Sequence, residues 1–168
     1  MARFTVAVLV NNHFGVLNRV TSMFRRRQFN ISALTVSETE SNEYSRITVV
    51  FDGDEQNKQQ LVNQLYKLPD VCSVSELKDG DSINCELLLI KLANNADTRD
   101  EIMAATTAFE AKIMDYSKDS LILQLTGTSR RIDDFINLMR DFEILEICRT
   151  GSVSLEKGSS TIRKVTNF

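Results

Sequence analysis

Residues 2–31 read ARFTVAVLVNNHFGVLNRVTSMFRRRQFNI, and the change of rhythm at Gly15 decides how the rest of the chain is parsed. Up to Val10 the segment is valine-rich and loosely alternating, as a half-buried strand is. Asn11-Asn12-His13-Phe14-Gly15 is a turn cluster. From Val16 the apolar residues Val16, Leu17, Val20, Met23 and Phe24 fall at helical offsets, with Asn18, Arg19, Ser22, Arg25 and Arg26 on the opposite face. The helix is expected to end near Gln28-Phe29-Asn30, and Ile31–Ser37 to return as a strand.

Working outward, Glu38–Glu43 is a polar turn and Tyr44–Phe51 a strand with β-branched Ile47, Thr48, Val49 and Val50. Asp52-Gly53-Asp54 marks a turn, with Asp54 placed to cap a second helix. Leu61, Val62, Leu65 and Leu68 stripe that helix, Pro69 stops it, and Val71–Leu77 is a short strand. The order β-α-β-β-α-β is the split ferredoxin-like pattern, one antiparallel sheet with both helices on one face. Lys78-Asp79-Gly80-Asp81 is a polar breaker, after which the order repeats. Ile83–Leu92 is a strand and Asn94–Phe109 a helix with Ile102, Met103, Ala105 and Phe109 inward. Ala111–Tyr116 and Ser120–Thr126 are strands, the latter with Leu121, Leu123 and Leu125 at period two. Ile132, Phe135, Ile136 and Met139 stripe a last helix before a closing strand, Phe142–Cys148. The expected class is α+β: two tandem βαββαβ domains at 1–77 and 82–157, a linker at 78–81, and a loosely ordered polar tail at 158–168. Units of about eighty residues are marginal alone, which favours packing of the halves and dimerisation through sheet edges or faces.

The 168 residues carry a net charge of −3, with 42% apolar and 26% charged residues. An acidic chain lacks the basic excess of a general nucleic-acid binder. No apolar run approaches the ~20 residues that span a bilayer, and the N-terminus lacks the features of a secretory signal. The expectation is a cytoplasmic protein with no membrane and no nucleic-acid partner. Cys72, Cys85 and Cys148 are far apart with no C-x-x-C pair, which argues against a zinc or redox motif. Each lies in an apolar segment, as a small buried hydrophobe would. His13 is the one histidine, so a multi-histidine metal site is impossible; it reads as an exposed turn residue or a ligand-loop contact. No glycine-rich dinucleotide or phosphate motif occurs. Gly127-Thr128-Ser129 reads as a capped strand-to-helix turn. Glu38, Glu40, Glu43, Asp97, Asp100 and Glu101 fall on solvent faces, with no two pinned to one site for acid-base work. Arg25-Arg26-Arg27 suits the C-terminal end of a helix dipole, or a docking patch.

One place is built as a ligand site would be. A strand delivers Asn12-His13-Phe14-Gly15, and a helix starts at once. Glycine removes side-chain bulk where backbone N–H groups are unpaired, and such a helix start accepts a carboxylate. Asn30 offers both donor and acceptor and begins a strand read as returning to the same end of the sheet. A glycine-containing helix cap and an ordinary turn asparagine is the plainer reading of the same residues.

Asn12-His13-Phe14-Gly15-Val16-Leu17-Asn18-Arg19-Val20, Phe29-Asn30-Ile31 and Leu34-Thr35-Val36 resemble the N-terminal ACT domain of acetolactate synthase (acetohydroxyacid synthase) small subunits. Ser45-Arg46-Ile47-Thr48 and Gln64-Leu65-Tyr66-Lys67-Leu68 continue the likeness. The second half matches as well, at Glu86-Leu87-Leu88-Leu89-Ile90-Lys91, Phe109-Glu110-Ala111-Lys112-Ile113, Leu125-Thr126-Gly127-Thr128 and Arg149-Thr150-Gly151. Three departures stand out. Phe14 replaces a small residue or proline, Pro69 an aliphatic one, and Glu156-Lys157-Gly158 lacks an arginine before the glycine. The resemblance implies a homodimer joined through its ACT domains into a continuous sheet. It implies a branched-chain amino acid, usually valine, bound at that interface by Asn12, His13, Phe14, Gly15, Val16 and Leu17 of one chain, with Asn30 and Ile31. It further implies a large catalytic subunit as partner, activated and made sensitive to feedback inhibition. Thiamine diphosphate, magnesium and flavin would belong to that partner and none to this chain, which would have no catalytic activity alone. Three other classes compete: a free-standing enzyme, lacking any convergent catalytic motif; a transcription regulator, lacking a helix-turn-helix and a basic face; and a scaffold without a ligand.

Overall fold

A computed structural model describes residues 2–164. The described residues form two compact units. One runs up to Ile83 and resumes at Val153; the other is Asn84–Ser152.

In the first unit, β1 (Ala2–Asn11), α1 (Val16–Arg26), β2 (Ile31–Glu38), β3 (Tyr44–Gly53), α2 (Glu55–Leu65) and β4 (Val71–Glu76) keep the expected order. The strands form an antiparallel sheet, β2-β3-β1-β4. Alternation decides which side chains each strand buries: Val6, Val8, Val10, Ile47, Val49 and Phe51 meet Val20, Met23 and Phe24 of α1 and Leu61 and Leu65 of α2 in one core. Asp54 caps α2 through the amide of Asn57 at 2.7 Å, and Asn57 returns a bond to the Asp54 amide at 3.1 Å. Asp52 and Gly53, read as part of a turn, still belong to β3. Helix α2 ends at Leu65, four residues before Pro69, in a turn where Leu68 N–H reaches Leu65 O. At the end of α1, Gln28 takes φ 57°, and Phe29 N–H reaches back to Phe24 O at 3.1 Å. That is a Schellman-type stop with glutamine where glycine is usual.

The second unit contains β5 (Ser82–Ala93, which begins before the division), α3 (Arg99–Ala108), β6 (Lys112–Tyr116), β7 (Ser120–Gly127), α4 (Ser129–Met139) and β8 (Ile144–Arg149), in sheet order β6-β7-β5-β8. Leu88, Ile90, Leu92, Leu121, Leu123 and Leu125 pack against Ile102, Ile132, Phe135 and Met139. Helix α3 starts at Arg99, not at Asn94. The Asn94 side chain instead donates to Ser117 O at 2.6 Å and accepts from Arg99 Nε at 2.8 Å, holding its segment as a loop.

The largest departure from expectation is at the C-terminal side. Val153–Glu156 forms the short strand β9, and Ile162–Lys164 forms a 3-10 turn lying against β1 and β4. Arg46 Nη2 donates to Ser154 O at 2.7 Å and Ser75 Oγ to Glu156 Oε1 at 2.8 Å. Residues from Val153 thus cover the helix-free face of the first sheet, where Ala7 and Leu9 are buried. Of the expected tail, Ile162–Lys164 takes this 3-10 turn, and residues 165–168 lie outside the described residues. The cysteines also differ from expectation. Cys85 and Cys148 are exposed and Cys72 is half-buried, because each sits on the sheet side turned from its helices or near an edge.

Candidate functional site

The sequence points to the connection between β1 and α1. Gly15 stands at the N-cap of α1 with φ 88°, a left-handed conformation that glycine adopts without penalty. No side chain caps the helix, and a Cβ built on Gly15 would meet nothing within 4 Å. Among the described residues the amides of Leu17 and Asn18 in the first turn find no acceptor. With no acidic residue in that turn and Arg25 and Arg26 in the last, the helix start retains its positive dipole end for an anion.

The loop before it is held from two sides. Asn12 N–H donates to Glu43 O at 2.8 Å, and the Asn12 side chain donates to Asn42 O at 3.0 Å and to Glu38 Oε1 at 3.3 Å. These bind it to the β2–β3 turn. His13 Nε2 lies 2.9 Å from Asp70 Oδ1, and Arg19 of α1 pairs with the other oxygen of the same carboxylate. Sequence reading missed Asp70. Its spacing from His13 gives no local signal, and only the arrival of β4 beside β1 brings the two together. Phe14 is fully exposed and Leu17 is exposed, while Val16 packs into the core.

Asn30 and Ile31 do not join this loop within one chain, which corrects the expectation that they return to the same end of the sheet. In the register, Asn11 lies opposite Tyr44 and Ser45 opposite Glu38, whereas Ile31 lies opposite Phe51 and Phe51 opposite Phe4. Helix α1 runs back along β1, so β2 starts at the far end. At ~3.3 Å per residue the two positions are roughly 25 Å apart. Strand β2 is terminal in the sheet order.

A second concavity, about 380 Å³, lies between the helix-free sheet face and the returning chain, lined among others by Leu9, Glu38, Arg46, Leu155, Glu156 and Ile162. Burial lowers the pKa of the Arg46 guanidinium, and the charge of Glu156 opposes that shift. Arg163 pairs with Glu40 at 2.9 Å across it. In the second unit, Thr128 caps α4 as expected, and Arg149 binds the buried Glu86 at 2.6 Å and Asp133 at 2.8 Å. Those partners, Glu86 first, raise the Arg149 pKa. Among the described residues no group of three or more His, Cys, Asp or Glu is placed to hold a metal ion, and no helix is long and apolar enough to cross a membrane.

Comparison with known proteins agrees with both halves. Residues 6–73 match the family model of the acetohydroxyacid synthase small subunit-like ACT domain, and residues 85–158 that of the small subunit of acetolactate synthase. The chain is 43% identical to a protein of Archaeoglobus fulgidus described as "probable acetolactate synthase small subunit", over 94% of this chain and 98% of that one. It is 38% identical to the acetolactate synthase isozyme 3 small subunit of Escherichia coli, over 96% and 99%. The crystal structure of the acetolactate synthase small subunit from Thermotoga maritima superposes with a TM-score of 0.86 at 33% identity, covering 95% of this chain and 100% of that one. Two family models in tandem, relatives matched over nearly their whole length and a shared fold together mean that this chain belongs to the acetolactate synthase small subunits, with an N-terminal ACT domain.

Proposed function

We propose that the chain is the regulatory partner of a large catalytic subunit in the cytoplasm. On this reading it raises the partner's activity and makes it sensitive to feedback inhibition by a branched-chain amino acid, valine first. Thiamine diphosphate, magnesium and flavin reside in the partner, and the isolated chain makes no acetolactate. The observation that carries this reading is the glycine-led, uncapped start of α1 beside an open sheet edge, in a chain of this family. The amides after Gly15 suit an amino acid's carboxylate, and exposed Phe14 and Leu17 supply an apolar surface for an aliphatic side chain.

The separation of Asn30 from the loop favours a site made by two chains. Strands β2 of two copies, joined antiparallel, set the start of one against the end of the other. The end of β2 is where Glu38 meets Asn12. A two-fold axis near Leu34 therefore brings Asn30 and Ile31 of one copy to the Asn12–Leu17 loop of the other, and fuses the two sheets. The test is titration of the purified chain into a matching catalytic subunit, with and without valine. Stimulated acetolactate formation that valine suppresses is expected. Robust synthesis by the chain alone, or no effect on the catalytic subunit, overturns the reading.

A further inference from the structure

We propose that Asp70 is a positioning residue that sets the conformation of the Asn12–Gly15 loop from the side away from the ligand; this rests on the reading of that loop as an effector site. Asp70 is 6% exposed, and a polar group so buried needs partners for its oxygens. Its two oxygens divide between two elements. One meets His13 Nε2 at 2.9 Å in the loop, and the other meets the Arg19 guanidinium on α1. Its backbone carbonyl accepts from Asn11 N–H at 2.9 Å, at the point where β1 gives way to the loop. One residue thus fixes the end of the strand, the loop and the first turns of the helix.

The two restraints on the loop lie on opposite flanks. Asn12 is tied toward the open edge at β2, and His13 toward β4, which lies beyond β1 in the sheet order. Asp70 therefore acts without touching a ligand seated at the β2 edge. Its effect on affinity comes from removing conformations the ligand would otherwise have to select against. His13 joins the restraint through a single ring nitrogen at the carboxylate, and its Nδ1 faces the Phe14 carbonyl at 3.4 Å. A glutamine at position 13 can present an amide N–H at nearly the place of Nε2, whereas alanine cannot.

The experiment uses the full chain with Asp70→Asn, His13→Ala, His13→Gln and the double variant Asp70→Asn/His13→Ala. Valine affinity is measured by calorimetry, and amide hydrogen exchange of residues 12–17 without ligand. Asp70→Asn and His13→Ala are expected to weaken valine about tenfold and to speed exchange at 12–17, leaving Val6–Val10 protected. His13→Gln should stay within about twofold of the parent. The double variant should be no worse than about twofold below Asp70→Asn, since both changes break one restraint. Parent-like affinity and exchange in Asp70→Asn overturn the proposal, as does His13→Gln behaving like His13→Ala. A parent chain that binds no valine, leucine or isoleucine sinks the effector reading instead. The exchange measurements then decide the role of Asp70 alone.

Discussion

Replacing Gly15 by aspartate should separate feedback inhibition from activation. The left-handed backbone at φ 88° costs an L-residue roughly 1–2 kcal/mol, with aspartate among the residues that bear it best. A Cβ there meets nothing within 4 Å, so the helix and sheet should survive the change. The ligand should not fare as well. Its carboxylate would lose charge-assisted hydrogen bonds worth about 1.5–3 kcal/mol. It would also face a like charge at ~4 Å, costing ~1 kcal/mol in water and ~4 at an effective dielectric of ~20. Taking roughly 3 kcal/mol for a half-open site, valine binding weakens about a hundredfold, at ~1.4 kcal/mol per factor of ten. The assay is acetolactate formation by the reconstituted complex against valine concentration. A curve displaced to about hundredfold higher valine with stimulation retained is the expected result. An unchanged curve places the effector elsewhere, and loss of stimulation together with inhibition means that the loop also shapes the docking surface.

If two chains share the site, valine should tighten the dimer by mass action; equal dissociation constants in sedimentation dilution series with and without saturating valine would refute the shared site. Cys85 and Cys148 should alkylate first at pH 8 and Cys72 slowest, since burial and then the nearby Asp70 charge raise the Cys72 pKa and deplete its thiolate; peptide mapping of a time course reads the order. Lys58, bonded to Glu55 at 2.6 Å and Glu76 at 2.7 Å, has its pKa raised above the ordinary 10.5 by those two carboxylates. Its contribution is therefore complete below that value and lost as pH rises through the higher folded-state pKa. Lys58→Met should cost about 1–2 kcal/mol at pH 7 in denaturant unfolding, and the gap should close at strongly alkaline pH. Gln28→Gly should leave stability equal or higher by up to about 1 kcal/mol, because glycine relieves the left-handed strain at φ 57° while giving the unfolded chain more freedom; a clear loss in the unfolding midpoint would mean that the glutamine side chain carries a contact of its own.

Local pattern carried most of the fold into view. The stripe Val16, Val20, Met23 and Phe24 and the alternation of Leu121, Leu123 and Leu125 name the residues that are buried, since helix and strand periods act over a few neighbours. Gly15 was legible for the same reason: a lone glycine between strand and helix rhythms marks a special backbone angle. Meetings over long separations were beyond the reach of sequence. Asp70 reaches His13 only through sheet order, and Asn30 reads as near the loop until the register sets it at the other end. The start of α3 was hidden because Asn94 spends its side chain on Ser117, a partner twenty-three residues away. Val153-Ser154-Leu155-Glu156 did show a period of two, but four residues in a polar stretch are a weak signal.

The return of the chain at Val153 has a consequence for its synthesis. The first unit is discontinuous, with residues 84–152 translated between its two parts. At about 5–20 residues per second that interval lasts roughly 3–14 s. Throughout it the helix-covered core can close, while Ala7 and Leu9 on the other face still await Ser154, Glu156 and Ile162. A nascent chain therefore leaves that apolar sheet face uncovered for seconds, open to association between neighbouring copies on one message. Production at lower temperature with slower initiation, which spaces the ribosomes, should raise the soluble yield, and substitutions at Ser154 or Ile162 should depress yield more than they depress the stability of molecules that have already folded.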